Sequence, residues 1–377
     1  MNTVDRKKAM SGVRRIVLKL GTRMITSGPN ALDMEALARL AADIADLRKK
    51  KYEIAIVSSG AIAAGMGQMG IKQRPKSIPQ LQALASIGQN MLINAYEKVL
   101  NMFNITLGQV LLTIDDIHDR KRYVNIQNTF NELFRMGVVP IINENDSVGT
   151  EEVNVGDNDN LSAYVASIVN AGLLVLFTDV DGLYDCHPSN GSGKLISHVA
   201  EITSGIEELC GETAADASVG GMLTKIEAAK RVLSGGGMMI ITHGRKIRLP
   251  QILEGENAGT LFVSEKQGLN ARRHWIAMTA KVRGSVHVDK GAVRAIEEKN
   301  ASLLPKGIAG VEGIFDIGDV VAVVTPDSEE IARGVALYNH HEIKKIMGRH
   351  SNEIDSILGY TNGANIIHRN DLVNMSN

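Results

Sequence analysis

Apolar runs and amphipathic segments alternate along about the first two-thirds of the chain, and this alternation predicts its main elements. Strands are predicted where the apolar runs fall, at residues 15–20, 52–57, 105–112, 138–142, 173–177 and 238–241. Helices are predicted where apolar residues recur with helical spacing, at residues 33–50, 80–102 and 161–170 and from residue 61 onward. Strands that alternate with helices predict an α/β domain whose mainly parallel sheet is covered by helices on both faces.

The pattern changes near residue 265, where a polar and mixed stretch favours a linker. Short apolar runs and frequent glycine then predict a small β-rich domain, with strands at 286–289, 320–324 and 333–338. We therefore expect a disordered lead-in at 1–13, a large domain at 14–264, a linker at 265–280, a β-rich domain at 281–362 and a C-terminal tail at 363–377.

Composition and charge mainly exclude classes of protein. The 377 residues are 44% hydrophobic and 22% charged and carry a net charge of -1, so no overall field favours nucleic acid or a membrane surface. No apolar run approaches the ~20 residues that span a bilayer. The only two cysteines, Cys186 and Cys210, cannot form a disulfide framework, which favours a location in the reducing cytoplasm.

Polar residues near the ends of the first two predicted strands are candidates for ligand contacts, since parallel sheets bind ligands at that edge. Lys19 stands within the first apolar run, where an ammonium is costly to bury unless it reaches a cleft or a partner. A place on an edge strand that reaches solvent is the alternative. Small residues at 58–65 open a helix, where backbone N–H groups bind anions, although close helix packing explains the same pattern.

Two stretches rich in Asn and Asp follow, Ile-Asn-Glu-Asn-Asp at 142–146 and Gly-Asp-Asn-Asp-Asn at 156–160. One such residue suffices to cap a helix, so this many exceed the structural need. Their carboxylates and amides suit an ammonium group, a metal or a lysine. Because binding sites are concentrated on loops, the pair indicates a binding site rather than a cap alone.

Phosphate binding is indicated in two places. Phe-Thr-Asp at 177–179 follows a strand, and Gly-Gly-Met-Leu-Thr-Lys at 220–225 enters a helix, where N–H groups and a lysine attract phosphate. This is not a Walker A loop, and Gly-Ser-Gly-Lys at 191–194 is not one either, because Pro188 stands in place of its first glycine. The absence of G-x-G-x-x-G after the first strand argues against a dinucleotide-dependent dehydrogenase.

In this order, these stretches resemble the amino acid kinase family. The likeness covers nearly the whole chain after residue 13 and rests on residues 17–21, 57–65, 142–146, 155–161, 178–179, 182–184, 220–222 and 224–225. Its most specific part is the pair at 142–146 and 155–161. Residues 303–308, Leu-Leu-Pro-Lys-Gly-Ile, resemble the PUA domain that many of these kinases carry. The resemblance implies a three-layer α/β/α sandwich with a mainly parallel sheet, plus a small β-rich PUA domain.

The resemblance also implies the reaction. ATP, with Mg²⁺, phosphorylates the γ-carboxylate of L-glutamate to L-glutamyl 5-phosphate, the first step of proline biosynthesis from glutamate. Proline is then the expected feedback inhibitor, a homodimer or homotetramer the expected assembly, and glutamyl phosphate reductase the expected recipient of the product. Because a free glutamate side chain has a pKa near ~4.3, the acceptor is already ionised and needs no general base. Catalysis should therefore depend on positive charges and N–H groups around the phosphoryl group.

The resemblance assigns a role to each candidate residue. The catalytic positions are Lys19 and Lys225, on either side of the phosphoryl group, and Asp159, which orients both lysines. The glutamate-binding positions are Ser59, Asp146, Asn158 and Asn143, of which Asp146 suits the α-ammonium. The ATP-binding positions are Lys19, Thr178, Asp179, Val219, Gly220, Gly221, Met222, Leu223, Thr224 and Lys225. No residue is predicted as a metal ligand. Val219 and Leu223 depart from the family, which usually has Thr and a polar residue there, so only their backbone contacts are expected.

Two alternatives stay open. One is another kinase of the same fold, which acts on N-acetylglutamate, aspartate or a nucleoside monophosphate. An acidic partner such as Asp146 suits a free α-ammonium better than an acetylated one. The other is an RNA-binding protein that acts through the PUA domain. Residues 281–361 contain ten Lys and Arg against twelve Asp and Glu, a local charge of -2, and so lack the basic composition typical of RNA binding.

Overall fold

The structure, a computed structural model, describes residues 5–28, 30–148, 158–186, 193–209, 221–264 and 271–375. These residues form two compact units. The first comprises residues 5–117 and 121–264, and the second comprises residues 118–120 and 271–375. In these ranges, no helix has the length and apolar character that a bilayer crossing requires.

Every strand and helix predicted for the first unit is present, with ends that differ by a few residues. The strands up to residue 264 are β1 Arg15–Leu20, β2 Thr26–Ser27, β3 Ala31–Leu32, β4 Glu53–Ser58, β5 Leu107–Leu112, β6 Val139–Glu144, β7 Leu173–Thr178, β8 His198–Val199, β9 Met238–His243 and β10 Thr260–Phe262. The helices are α1 Arg6–Met10, α2 Thr22–Ile25, α3 Met34–Lys49, α4 Ala61–Gln68, α5 Ile78–Asn101, α6 Ile114–His118, α7 Arg120–Arg135, α8 Asn158–Ile168, α9 Ser204–Glu208, α10 Met222–Ser234 and α11 Leu249–Leu253.

A mainly parallel sheet forms the centre of the first unit, as predicted. Among the described residues it has eight strands in the order β5-β6-β4-β1-β7-β9-β10-β8, and β9 and β10 are its antiparallel neighbours. Helices α3, α5 and α11 pack on the face that carries Ile16 and Leu18, and α8 covers the other face, where it contacts β1. Since side chains alternate along a strand, Lys19 points to the α8 face. The result is the three-layer sandwich.

Two glycines bring α4 and α5 into backbone contact. A Cβ on Gly88 would lie 1.8 Å from the carbonyl oxygen of Ala61, and one on Gly65 would lie 2.0 Å from that of Leu84. The turn into α4 depends on a third glycine, Gly60, whose φ of 100° favours a residue without a side chain. The small residues at 58–65 therefore serve close helix packing as well as any ligand contact.

The expected disorder of residues 1–13 is wrong from Asp5 onward, because these residues form α1 and bury Met10 and Val13 in the core. Arg6 fixes the helix. It is 7% exposed, and its guanidinium donates to the backbone carbonyls of Ala258 at 2.6 Å and Gly259 at 2.9 Å. Backbone carbonyls have no signature in the sequence, so the apolar pattern gave no sign of this contact.

The second unit contains a separate five-stranded sheet in the order β12-β11-β13-β14-β15, which confirms the β-rich domain. Its strands are β11 Val282–Val288, β12 Ile308–Gly313, β13 Val320–Val324, β14 Glu330–Val335 and β15 Leu372–Asn374. Its helices are α12 Ala271–His274, a π-helix at Trp275–Thr279, α13 Lys290–Lys299, α14 His340–Ile346 and α15 Ile354–Leu358. The expected linker is therefore helical at 271–279, and the expected tail contributes an edge strand.

The contact between α4 and α5 predicts a large difference between two glycine substitutions. Gly88→Ala places a methyl carbon far inside the van der Waals distance from a backbone oxygen, so the two helices have to separate. The separation should destabilise the fold by about 3 kcal/mol. Gly12→Ala is the matched control, because a Cβ there meets nothing within 4 Å. The midpoint of urea unfolding should fall clearly for Gly88→Ala only. Equal midpoints for the two variants would contradict the packing.

Candidate active site

The candidate residues lie where several parallel strands end together. β1, β4, β6, β7 and β9 are parallel neighbours, so their carboxyl ends form one edge of the sheet. The backbone ties these ends to one another, since Gly21 N donates to Phe177 O at 3.2 Å and Ser59 N donates to Leu20 O at 3.1 Å. This is the edge at which ligands bind in open parallel sheets.

A buried carboxylate between two lysines forms the centre of the site. Asp159 on α8 is 1% exposed. Lys19 Nζ on β1 lies 2.7 Å from its Oδ1, and Lys225 Nζ on α10 lies 3.0 Å from its Oδ2. Both lysines are themselves buried, with 8% and 5% of their surface exposed. Three elements that are distant in sequence thus meet at one ion cluster, which explains why an apolar strand contains Lys19.

Electrostatics keeps Asp159 ionised. Burial by itself would raise the pKa of this carboxyl group, but the charges of Lys19 and Lys225 outweigh burial and hold the pKa below its ordinary value. Two ammonium groups against one carboxylate leave the cluster with one net positive charge. A positive charge in a buried position at a helix start favours an anionic ligand such as phosphate.

The start of α10 contributes backbone and hydroxyl groups beside the cluster. Thr224 Oγ1 lies 3.1 Å from Asp159 Oδ2 and 2.8 Å from Gly221 O, and Lys225 Nζ donates to Gly221 O at 3.3 Å. Met222 is half-buried, whereas Leu223 is exposed. The other two predicted nucleotide-binding positions of this stretch, Val219 and Gly220, lie outside the described residues.

A chain of side-chain amides runs beside the ion cluster. Asn158 Nδ2 lies 2.9 Å from Ser59 Oγ, 3.0 Å from Asn143 Oδ1 and 3.3 Å from Ser58 O. Asn143 in turn donates from Nδ2 to Gln89 Oε1 on α5, at 2.8 Å. Asn143 and Asn158 are each 3% exposed. Asn158 therefore contacts two of the other three predicted glutamate-binding residues, Ser59 and Asn143.

The fourth, Asp146, begins a single 3₁₀ turn after β6, Asp146–Val148, at the same edge of the sheet. Its side chain forms no hydrogen bond to the other three. Burial raises the pKa of Asp146 to about 6, and the positive charge of Arg74 opposes the rise. A partly buried carboxylate that forms no ion pair with the described residues is suited to bind an external ammonium group.

The residues that follow β7 lie on the other side of β1. Thr178 is 7% exposed, and its Oγ1 donates to Asp179 Oδ1 at 3.1 Å. Asp179 is ion-paired with Arg23, which follows β1. Burial would raise the pKa of Asp179, but the hydrogen bonds from Arg23, its own backbone and Thr178, with the charge of Arg23, together outweigh burial and hold the pKa below its ordinary value. Both predicted residues thus lie at the rim of the sheet edge.

Consecutive residues join the two groups of candidates. Asn158 belongs to the amide chain and Asp159 to the ion cluster, and both lie in the first turn of α8. An acceptor at the amides would therefore lie next to a phosphoryl group at the lysines. This proximity is what transfer between two bound substrates requires.

Two residues near the site were missed by the sequence. Gln89 lies in the middle of α5, where the helical spacing of apolar residues gives no sign of a ligand contact. Arg245 follows β9 and donates to Asp33 Oδ2 at 3.0 Å and to the carbonyl oxygen of Thr26 at 2.8 Å. Arg245 is a polar residue shortly after the predicted strand at 238–241, and this position is the signal in the sequence that indicates it.

Comparison with known proteins agrees with this arrangement. Residues 14–243 match the model of the amino acid kinase family, and residues 284–358 match that of the PUA domain. The chain is 44% identical over 370 residues to a glutamate 5-kinase from Syntrophotalea carbinolica, which covers 98% of this chain and 99% of the relative. A glutamate 5-kinase from Thermoanaerobacter sp. is 44% identical over 361 residues, or 95% and 97% of the two chains. A glutamate 5-kinase from Trichlorobacter lovleyi is 42% identical, and the match covers 98% of this chain and 99% of the relative.

A solved structure supports the fold independently of sequence. Carbamate kinase from Giardia lamblia, bound to AMP-PNP, superimposes with a TM-score of 0.50 at 14% identity, over 68% of this chain and all of that one. At this identity the likeness bears on the fold alone. The sheet order, the ion cluster, the family model and the near full-length relatives agree, and the chain belongs to the amino acid kinase family, among relatives that are glutamate 5-kinases, and carries a PUA domain as well.

Proposed function

We propose that this chain transfers the γ-phosphoryl group of ATP to the γ-carboxylate of L-glutamate. The products are L-glutamyl 5-phosphate and ADP, and the reaction is the first step of proline biosynthesis from glutamate. The family and the names of the near full-length relatives support this activity. The observation that carries it is the buried cluster of Lys19, Asp159 and Lys225, which lies next to the amide chain.

The cluster fits a transfer that needs charge rather than a base. The acceptor carboxylate is ionised at neutral pH, so the barrier lies in bringing an anion to a polyphosphate and in spreading the charge of the phosphoryl group. We assign Lys19 and Lys225 to the two sides of the phosphoryl group, where their ammonium groups stabilise its charge. Asp159 acts as a positioning residue, since its two oxygens hold one ammonium each.

The acceptor pocket follows from the amide chain. We assign Ser59 and Asn158 to direct contacts with glutamate and Asp146 to its α-ammonium. Asn143 is 3% exposed and already contacts Asn158 and Gln89, so we assign it mainly to support. A free ammonium gains from an anionic partner, whereas an acetylated nitrogen does not, and this favours glutamate over N-acetylglutamate.

The nucleotide site is assigned to the remaining candidates. Thr178 and Asp179 lie after β7, and the stretch from Val219 to Lys225 leads into α10, where N–H groups attract phosphate. Mg²⁺ enters the proposal with ATP, because this ion prefers oxygen ligands and is commonly held by substrate phosphates. The described residues contain no group of three acidic, His or Cys side chains that fits a metal ion, so the phosphates would supply most of its ligands.

The wider setting belongs to the same proposal. We expect proline to inhibit the enzyme, the chain to form a homodimer or homotetramer, and its labile acyl phosphate to pass to glutamyl phosphate reductase. We also place the enzyme in the cytoplasm, where ATP and glutamate are available. RNA binding through the PUA domain is not part of the proposal, because residues 281–361 carry a charge of -2, from ten Lys and Arg against twelve Asp and Glu.

ADP release with a panel of acceptors tests the proposal. With ATP and Mg²⁺, L-glutamate should give ADP and, with hydroxylamine present, the hydroxamate that an acyl phosphate forms. N-acetyl-L-glutamate, L-aspartate and nucleoside monophosphates should give much less. Faster turnover of any of these three than of glutamate would assign the chain to another substrate of the fold.

Removal of either lysine should lower turnover more than binding. Lys225→Ala and Lys19→Ala remove charges that act most strongly on the transition state, so kcat should fall by about a hundredfold or more while the KM for glutamate changes little. Lys230→Ala is the control, since Lys230 lies on the same helix but is exposed and pairs with Glu207. Steady-state kinetics measures both constants, and a wild-type kcat in either variant would remove that lysine from its role.

The raised pKa of Asp146 predicts a pH dependence for glutamate binding. Below about pH 6 the carboxyl group becomes protonated and loses its attraction for the ammonium, so the KM for glutamate should rise. The γ-carboxylate of glutamate, with a pKa near ~4.3, stays largely ionised down to about pH 5 and does not cause this rise. The measurement is the KM for glutamate between about pH 5 and about pH 8.

Asp146→Asn separates this effect from other titrations. The variant should have a higher KM for glutamate near neutral pH, and the KM should stay nearly constant as the pH falls through 6. If the variant keeps the wild-type pH profile, another group titrates. An unchanged KM at neutral pH would remove Asp146 from the acceptor pocket.

A further inference from the structure

Helix α5 supports the acceptor pocket from below through two polar side chains. Gln89 accepts a hydrogen bond from Asn143 Nδ2 at 2.8 Å, and Tyr96, two turns further along, lies with its hydroxyl 2.8 Å from Ser58 Oγ. The glycine contact at Gly88 and Gly65 sets the distance between α5 and the turn that carries Ser59. Gln89 is therefore held at a fixed place beneath the amide chain.

One atom determines the direction of the hydrogen bonds along the chain of side-chain amides. The carbonyl oxygen of Ser58 accepts only, so Asn158 must turn its Nδ2 toward it, at 3.3 Å. Asn143 then presents Oδ1 to Asn158 and turns its own Nδ2 toward Gln89. Gln89 therefore has to accept this hydrogen bond through Oε1. The three amides are thus locked in one orientation, and an acceptor at position 89 completes the sequence.

The locked chain leaves one polar atom unused at each end. Asn158 Oδ1 and Gln89 Nε2 are both buried and have no hydrogen-bond partner among the described residues. A buried polar atom without a partner is costly, so each marks a place where a ligand gains binding energy. Asn158 belongs to the pocket assigned to glutamate, and an α-ammonium is a donor that fits its carbonyl oxygen.

We propose that Gln89 is a positioning residue for the amino-acid substrate: by accepting from Asn143 it holds the amide of Asn158 in the orientation that offers Oδ1 to the α-ammonium. The inference rests on the proposed function, since it needs an amino acid as acceptor. It extends the site to a helix that none of the predicted residues occupies. Gln89 acts through Asn143 and does not itself contact the reacting atoms.

Two variants of Gln89 test this role. Gln89→Met keeps the length of the side chain but removes the acceptor, so the KM for glutamate should rise by about tenfold while the KM for ATP changes little. Gln89→Glu keeps an oxygen that accepts from Asn143 and should raise the KM for glutamate clearly less. Asn90→Leu is the control for a polar-to-apolar change at an exposed position of the same helix, and it should leave both constants unchanged.

A double substitution shows whether Gln89 acts through Asn143. In an Asn143→Ala background, Gln89→Met should add less than twofold to the KM for glutamate, because the two changes break the same contact. The inference is overturned if Gln89→Met leaves the KM for glutamate within twofold of wild type, or if it raises the KM values for ATP and glutamate equally. It is also overturned if Gln89→Glu binds glutamate as weakly as Gln89→Met. The same holds if the effects of Gln89→Met and Asn143→Ala on the KM for glutamate multiply in the double variant. If wild-type protein releases no ADP with glutamate, the proposed function fails instead.

Discussion

The site depends on one carboxylate that two lysines share. Asp159 is fully enclosed, and without Lys19 and Lys225 its ionised form would be strongly disfavoured in that position. Each lysine is equally dependent on Asp159, because a buried ammonium needs a partner. The cluster therefore requires β1, α8 and α10 to be in place together, and the same requirement fixes the two positive charges relative to each other. A buried cluster of this kind contributes little net stability, which agrees with the proposal that it serves to set geometry.

The parallel sheet joins this local geometry to the other half of the proposed site for two substrates. All the relevant strands end at one edge, so residues far apart in sequence come within hydrogen-bond distance, as Asn158 and Ser59 do across 99 positions. The first turn of α8 then supplies one residue to each half of the site. The amide of Asn158 faces the acceptor side and the carboxylate of Asp159 faces the lysines, so the two halves cannot shift independently.

Much of this organisation could be predicted from the sequence, because it depends on periodicity and on residues at strand ends. The strands, the β-rich domain and the stretches at 142–146 and 158–160 were all identifiable in that way. The contacts of Gln89 and Arg6 were not. Gln89 has the spacing of an ordinary helix residue, and Arg6 binds carbonyl groups that every residue possesses. Close helix packing was one interpretation of the small residues at 58–65, but its partner, Gly88 on α5, depends on tertiary distances that the sequence pattern does not encode.

The backbone contact between α4 and α5 has a consequence for how this enzyme scaffold changes in evolution. At Gly65 and Gly88 the two helices have no side chain between them that substitution could reduce, so their spacing there is fixed, and with it the floor of the proposed acceptor pocket. We expect a relative that accepts a longer or shorter acid to differ at the rim of the pocket, where segments such as the 3₁₀ turn of Asp146–Val148 contain no buried residue. In such a scaffold, segments at the rim of the pocket determine substrate preference, while the packing of α4 on α5 stays the same.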